Sequence, residues 1–210
     1  RYIYSDLAFS DAYSAEQQSG ASAFAADISA FLTTYPVIGR NECQWSWGLN
    51  ISNIGSKVSY NAGNDPAFLP TNLRLGTTFT FPLADYNNLS LSLDANKLLV
   101  PTRPRQSDYT DAEGTFDQEK YDAALEDWRN TSSISGIFKS FSDAPGGFSE
   151  ELKEITLSVG AEYNNNQQFF VRAGYFDENE MKGNRQYFAF GAGILLNVDQ
   201  LDASYMTATA

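Results

Sequence analysis

The stretch Ser142–Tyr163, SDAPGGFSEELKEITLSVGAEY, changes character at its midpoint: a Pro-Gly-Gly break and an acidic cluster run into strict alternation of apolar and polar residues. Successive side chains of a strand point to opposite faces. Ile155, Leu157, Val159, Ala161 and Tyr163 therefore share one face, and Thr156, Ser158, Gly160 and Glu162 the other. One face is greasy and the other polar, over close to the ten or so residues of a strand that crosses a bilayer.

The same period recurs in both directions along the chain. Trp45, Trp47, Leu49 and Ile51 alternate with Ser46, Gly48, Asn50 and Ser52, and Leu73, Leu75, Thr77, Phe79 and Phe81 with Asn72, Arg74, Gly76, Thr78 and Thr80. Leu89 to Ala95 alternate with Ser90 to Asn96. Phe169, Val171, Ala173 and Tyr175 oppose Gln168, Phe170, Arg172 and Gly174, and Phe188 to Leu196 oppose Tyr187 to Gly193. With Arg1–Phe9, Ala21–Thr33 and Leu201–Thr209 the pattern predicts roughly nine strands, most of them longer than those of a soluble sandwich.

The connections alternate as well. Asp85–Asn88, Asn164–Gln167 and Asn197–Gln200 read as tight turns, whereas Ser10–Gly20, Asn61–Pro70, Pro101–Lys153 and Asp177–Arg185 are longer loops. Short turns on one side and long loops on the other are the layout of an outer-membrane barrel, with the short side periplasmic. Thr34–Gln44, which holds Pro36 and Cys43, is the one long connection on the short side. Trp45, Trp47, Tyr60, Phe79, Phe81, Tyr163, Tyr175 and Phe176 lie near strand ends, where girdle aromatics belong.

Composition narrows the function. The 210 residues carry a formal charge of −12, no histidine and one cysteine. The lack of histidine argues against a zinc-type site and His-based acid–base chemistry, and a Ser-His-Asp triad cannot be built from this chain, so no enzyme, metal or cofactor is expected. The acidic balance argues against nucleic acid. No apolar run reaches the twenty or so residues of a transmembrane helix, which leaves a β-barrel open. One domain over residues 1–210 is expected. The odd strand count, the absence of a start methionine or signal peptide and the ragged strand ends predict a fragment of a larger barrel.

Arg74, Asp94, Glu162, Arg172 and Asp202 fall on the polar side of their strands and would face a barrel lumen. Two readings stand side by side: an ion-pair network that fills the interior, or a selectivity site. The loop over residues 101–153 breaks the β rhythm. A capping box from Thr115 to Gln118 and the spacing of Tyr121, Ala124, Leu125 and Trp128 predict one short helix. Ile134, Ile137, Phe138 and Phe141 predict a second, stopped by Pro145, Gly146 and Gly147. Twelve acidic against six basic residues between Pro101 and Glu154 give this quarter of the chain a net −6. It reads either as a solvated cover over the barrel mouth or as a protein-binding surface.

GLNISNIGSKVSY (Gly48–Tyr60), FLPTNLRLG (Phe68–Gly76), NKLLVPTRP (Asn96–Pro104), SDAPGGFSEELKEITLSVGAEY (Ser142–Tyr163) and RAGYFDENEMKGNRQYFAFGAG (Arg172–Gly193) resemble, in order, the PorV family. These are outer-membrane shuttles of the type IX secretion system of Bacteroidetes, within the FadL-like barrel superfamily. The resemblance implies an all-β transmembrane antiparallel barrel, fourteen-stranded when intact, whose fifth to thirteenth strands this chain would supply. It implies that secreted proteins with a C-terminal β-sandwich signal domain leave the translocon barrel bound to the extracellular loops. A surface sortase complex then attaches them outside the cell. The candidate cargo contacts are Trp128, Phe138, Phe141, Asp143, Pro145, Gly146, Gly147 and Phe148, with Phe148, Glu150 and Glu151 leading the chain down into the strand. The alternative is a FadL-type uptake channel for hydrophobic small molecules, which needs a greasy interior where the strands place mainly Ser, Thr, Asn, Gly and charge.

Overall fold

The computed structural model describes residues 1–5, 20–60 and 66–209. Its main feature is one nine-stranded sheet in the order β1-β2-β5-β6-β7-β8-β9-β10-β11. The strands are β1 (Tyr2–Ser5), β2 (Ala21–Thr34), β5 (Gln44–Gly55), β6 (Asn72–Ala84), β7 (Asn87–Leu98), β8 (Ile155–Asn165), β9 (Phe169–Asp177), β10 (Gln186–Leu196) and β11 (Asp199–Ala208). Each strand pairs with its neighbours in sequence, the order of an up-and-down barrel wall, and β1 and β11 are the two edges. The fold is all-β and barrel-like, with nine sheet strands as the alternation predicts. Residues 6–9 of the first predicted strand, most of the loop that follows β1, and residues 61–65 of the loop after β5 lie outside the described residues.

Several strands run further than their alternation suggests. β5 extends to Gly55 through Asn53, which sits at φ 59°. Asparagine tolerates that left-handed region better than most residues. Its N–H donates to Asp27 Oδ1 at 2.8 Å, its amide to the Pro70 carbonyl at 3.2 Å, and its carbonyl accepts from Thr71 Oγ1 at 2.8 Å. The connection Thr34–Gln44, without predicted structure, contains a small hairpin of β3 (Val37–Ile38) and β4 (Asn41–Glu42), with Cys43 buried behind it.

The described chain groups into two compact units. The first comprises Arg1–Ile28, Ile51–Asn72 and Leu98–Glu151. Its apolar core is small: Ala23, Ala25 and Leu69, with Ile3 and Val58 packed against them. The second comprises Ser29–Asn50, Leu73–Lys97 and Leu152–Ala210 and holds the regular part of the sheet. There the register pairs Leu93 with Val159, Val159 with Tyr175, Tyr175 with Phe188, and Phe190 with Tyr205. Over β7–β11 that face is apolar between its ends, where Lys97, Asp177 and Asp199 lie, and its Leu91, Val159, Val171, Phe190 and Leu201 are exposed. The other face is polar, with Thr78 and Ser92 hydroxyls 3.0 Å apart and those of Thr80 and Ser90 2.8 Å apart.

Phe176 departs from the girdle assignment. It shares a face with Arg172 and Gly174, and it stacks on Tyr187 with ring centroids 4.9 Å apart. Its even position in β9 sends it to the polar side, whereas Tyr175 faces outward against Phe188 at 4.8 Å.

Candidate functional site

The long connection between β7 and β8 carries a 3₁₀ turn, η1 (Gln106–Tyr109), and three helices, α1 (Gln118–Asn130), α2 (Ser133–Lys139) and α3 (Phe148–Lys153). The N-cap of α1 is Asp117, whose carboxylate accepts from the Lys120 N–H at 3.1 Å, and not Thr115. Thr115 precedes the Thr110–Phe116 bridge, and its N–H donates to Asp111 Oδ1 at 2.7 Å. Ser132 caps α2 by accepting from the Ser135 N–H at 3.1 Å.

Two helices were expected, and α3 is the correction. Phe148, Glu150 and Glu151 do not run down into the strand; they form a helical turn that reaches back. Glu151 is buried and accepts the Ala144 N–H at 2.8 Å, while Glu150 accepts the Gly146 N–H at 2.7 Å. Asp143 accepts the Thr102 N–H at 2.7 Å. The Asp143–Phe148 segment is thus a clamped turn. The sequence did carry a signal for α3: Glu150 and Glu151 in a first turn and Lys153 in the last suit a helix dipole.

Trp128 is half-buried and belongs to the scaffold of the loop. Its indole N–H donates to the Pro101 carbonyl at 3.0 Å, and its ring meets Phe68 edge-on at 5.3 Å. Lys57 lies 4.2 Å from the Phe68 centroid and donates at 2.6 Å to the Arg129 carbonyl near the end of α1, while Arg103 covers Trp128 at 5.4 Å. Burial lowers the Lys57 pKa. α2 closes on the same cluster through Gly136, where an added Cβ would lie 2.9 Å from Phe68 and 3.0 Å from Pro101. Phe138 and Phe148, by contrast, are 72% and 77% exposed, and Ile134 and Phe141 are exposed too. The structure therefore separates the candidates: Trp128 and Asp143 hold the loop together, and Phe138, Phe141 and Phe148 face solvent.

On the polar face of the sheet, three of the five charged candidates meet. Arg172 on β9 donates to Glu162 on β8 and to Asp202 on β11, both at 2.6 Å, and Gln200 donates to the other oxygen of Asp202. Arg172 pairs in register with Gly191, and Asp202 with Gly193, so the guanidinium reaches over β10 where it has no side chains. A Cβ at Gly193 would overlap the Asp202 carboxylate. Arg74 on β6 is exposed and Asp94 on β7 is half-buried; among the described residues no ion pair joins either to the ladder.

A second ion cluster escaped sequence reasoning. Glu154, between α3 and β8, binds Lys97 at 2.7 Å and Lys182 at 2.9 Å, and Lys97 is only 7% exposed. Burial raises the Glu154 pKa, the two lysines lower it, and the net shift is downward. In the β9–β10 loop Arg185 forks onto the buried Glu178 at 2.7 and 2.9 Å, which holds that carboxyl below its usual range. Lys97, Glu154 and Lys182 are far apart in sequence, and no local pattern links them. Among the described residues no group of three or more His, Cys, Asp or Glu is placed to hold a metal.

The comparisons with known proteins bear on this arrangement. The family described as the type IX secretion system protein PorV matches residues 1–105. No curated protein matches the chain.

Proposed function

Because the chain belongs to the family of the type IX secretion system protein PorV, we propose that it is an outer-membrane barrel protein that carries secreted proteins. Its extracellular loops bind the C-terminal signal domain of a cargo released by the translocon barrel and pass it to the surface attachment complex. The family is one of secretion proteins, not of enzymes, and the role requires binding and release without covalent chemistry.

The observation that carries this reading is the contrast within the long loop. Its helices are capped and packed through Trp128, Phe68 and Pro101, yet Ile134, Phe138, Phe141 and Phe148 stay exposed. Long ordered loops in compact domains are usually functional. Exposed aromatics on a rigid support are suited to be interface anchors, because little side-chain entropy is lost when they dock. The apolar face of β7–β11 supports the membrane placement. An eleven-residue strand such as β8 is about 36 Å long, and at the usual tilt of about 40° it spans about 27 Å, close to the apolar band of about 25 Å in outer-membrane barrels.

Removing residues 115–142 from the full-length protein in its native cell tests the reading. Proteins with a C-terminal β-sandwich signal domain should no longer co-purify, while the barrel still migrates as a heat-modifiable folded species. Undiminished cargo recovery would contradict the loop assignment.

A further inference from the structure

The exposed apolar patch on α2 follows directly on the acidic helix α1, and the two together specify the chemistry of what binds there. Ile134 and Phe138 are one helical turn apart on α2 and project from the same side, at 56% and 72% exposure. Phe141 follows directly after the helix. On α1, Glu119, Asp122 and Glu126 follow the i, i+3, i+7 spacing of one helical stripe, and all are exposed, as is Asp127. The half-buried Tyr121, Leu125 and Trp128 take the other side. The two helices are tied at this end: Lys139, next to Phe138, donates to Asp127 Oδ2 and to Thr131 Oγ1, both at 3.0 Å. Trp128 of α1 and Gly136 of α2 both turn toward Phe68 and Pro101, so the carboxylate stripe and the apolar patch lie on the sides of their helices turned away from that cluster.

Resting on the docking reading above, we propose that the α1–α2 surface takes a folded protein domain whose own apolar contact area is bordered by lysine and arginine. Charge complementarity selects this occupant. A second copy of the chain would bring two acidic stripes together, and an anionic lipid surface would be repelled in the same way, whereas a basic rim is steered in and held in register. The apolar side chains supply affinity, and the carboxylates supply approach and selectivity.

The test uses the full-length protein in detergent or nanodiscs and, as probe, the purified C-terminal signal domain of a protein secreted by the same type IX system. Wild-type affinity should weaken about tenfold between about 50 and 500 mM NaCl, because the rim charges are exposed and screened. Ile134→Ser with Phe138→Ser should weaken binding at least about tenfold at both salt concentrations. Glu119→Gln, Asp122→Asn and Glu126→Gln together should flatten the salt dependence and leave the high-salt affinity in place. Asp127 is spared because it ties α1 to α2, and heat-modifiable migration checks that each variant folds. Tight wild-type binding that ignores both salt and these substitutions would overturn this inference alone. A wild-type protein that does not bind the probe would overturn the docking reading with it. Flotation with phosphatidylglycerol vesicles, or self-association lost on Phe138→Ser, would identify a different occupant and contradict the proposal.

Discussion

The apolar face of β7–β11 and the apolar patch on α2 are both exposed, and they differ in what surrounds them. The outward face of β7–β11 is a continuous sheet of Leu, Val, Ala, Tyr and Phe, with Leu93, Val159, Tyr175 and Phe188 paired in unbroken register. The surface on α2 is a few side chains on the helix that follows the acidic α1. Apolar content alone does not separate them. A broad face whose charged residues, Lys97, Asp177 and Asp199, lie only at strand ends suits a hydrocarbon solvent, in which no partner must be chosen. A small patch with a charged border suits a protein, since water stays nearby and the border discriminates.

Substitutions can break that comparison. The largest effect is expected on the sheet: Val159→Arg should cost about 2–4 kcal/mol of membrane-inserted stability, as arginine does on a lipid face near the midplane. Ser158→Arg, one residue earlier on the polar face, should be far milder. Urea unfolding in lipid vesicles compares the two, and equal costs would remove the case for a lipid-facing side. In the loop, Trp128→Ala should destabilise α1 and α2 by about 2 kcal/mol, less than for a fully buried tryptophan. Phe138→Ala should change stability by no more than about 0.5 kcal/mol, as exposed positions do. Hydrogen exchange of the loop amides reads both, and the reverse ranking would exchange scaffold for contact surface.

Gly193→Val probes the polar face and is expected to cost about 1 kcal/mol, because Asp202 must leave Arg172 while the partly exposed pair is worth little. Loss of the benefit of Gly193 in an Arg172→Met background, measured by thermal melting, checks that the two act together. The smallest effect concerns pH. The Glu154 pKa is lowered on folding, so the contribution of its ion pairs is present above the unfolded value of about 4.5 and is lost as pH falls through the folded value. Lys97 and Lys182 are then left without their shared carboxylate, and proteolysis at the α3–β8 junction should speed up as pH falls through that folded value. In Glu154→Gln that added sensitivity to acid should disappear.

How much was legible in the sequence follows the same division. Alternation is local, so Ile155–Tyr163 and its counterparts showed the strands, their faces and their sequential pairing, and the polar side of Arg172, Glu162 and Asp202. What alternation could not show is which charges meet. Register and the bare β10 backbone at Gly191 and Gly193 join Arg172 to Asp202 and leave Arg74 apart. The loop was less legible because its contacts are not periodic. Trp128 looked like an anchor by type, yet Pro101 and Phe68, distant along the chain, draw it inward. α3 is a six-residue helix, too short for a helical period to show.

Cysteine accessibility on intact cells tests the central claim most directly, in a background where the buried Cys43 is replaced by serine. Phe138→Cys and Val159→Cys are each exposed to a membrane-impermeant maleimide. The account predicts rapid labelling at position 138, suppressed by added cargo signal domain, and no labelling at position 159 until detergent strips the lipid. Equal labelling at both positions, or labelling at 138 that the cargo domain leaves unchanged, would contradict it.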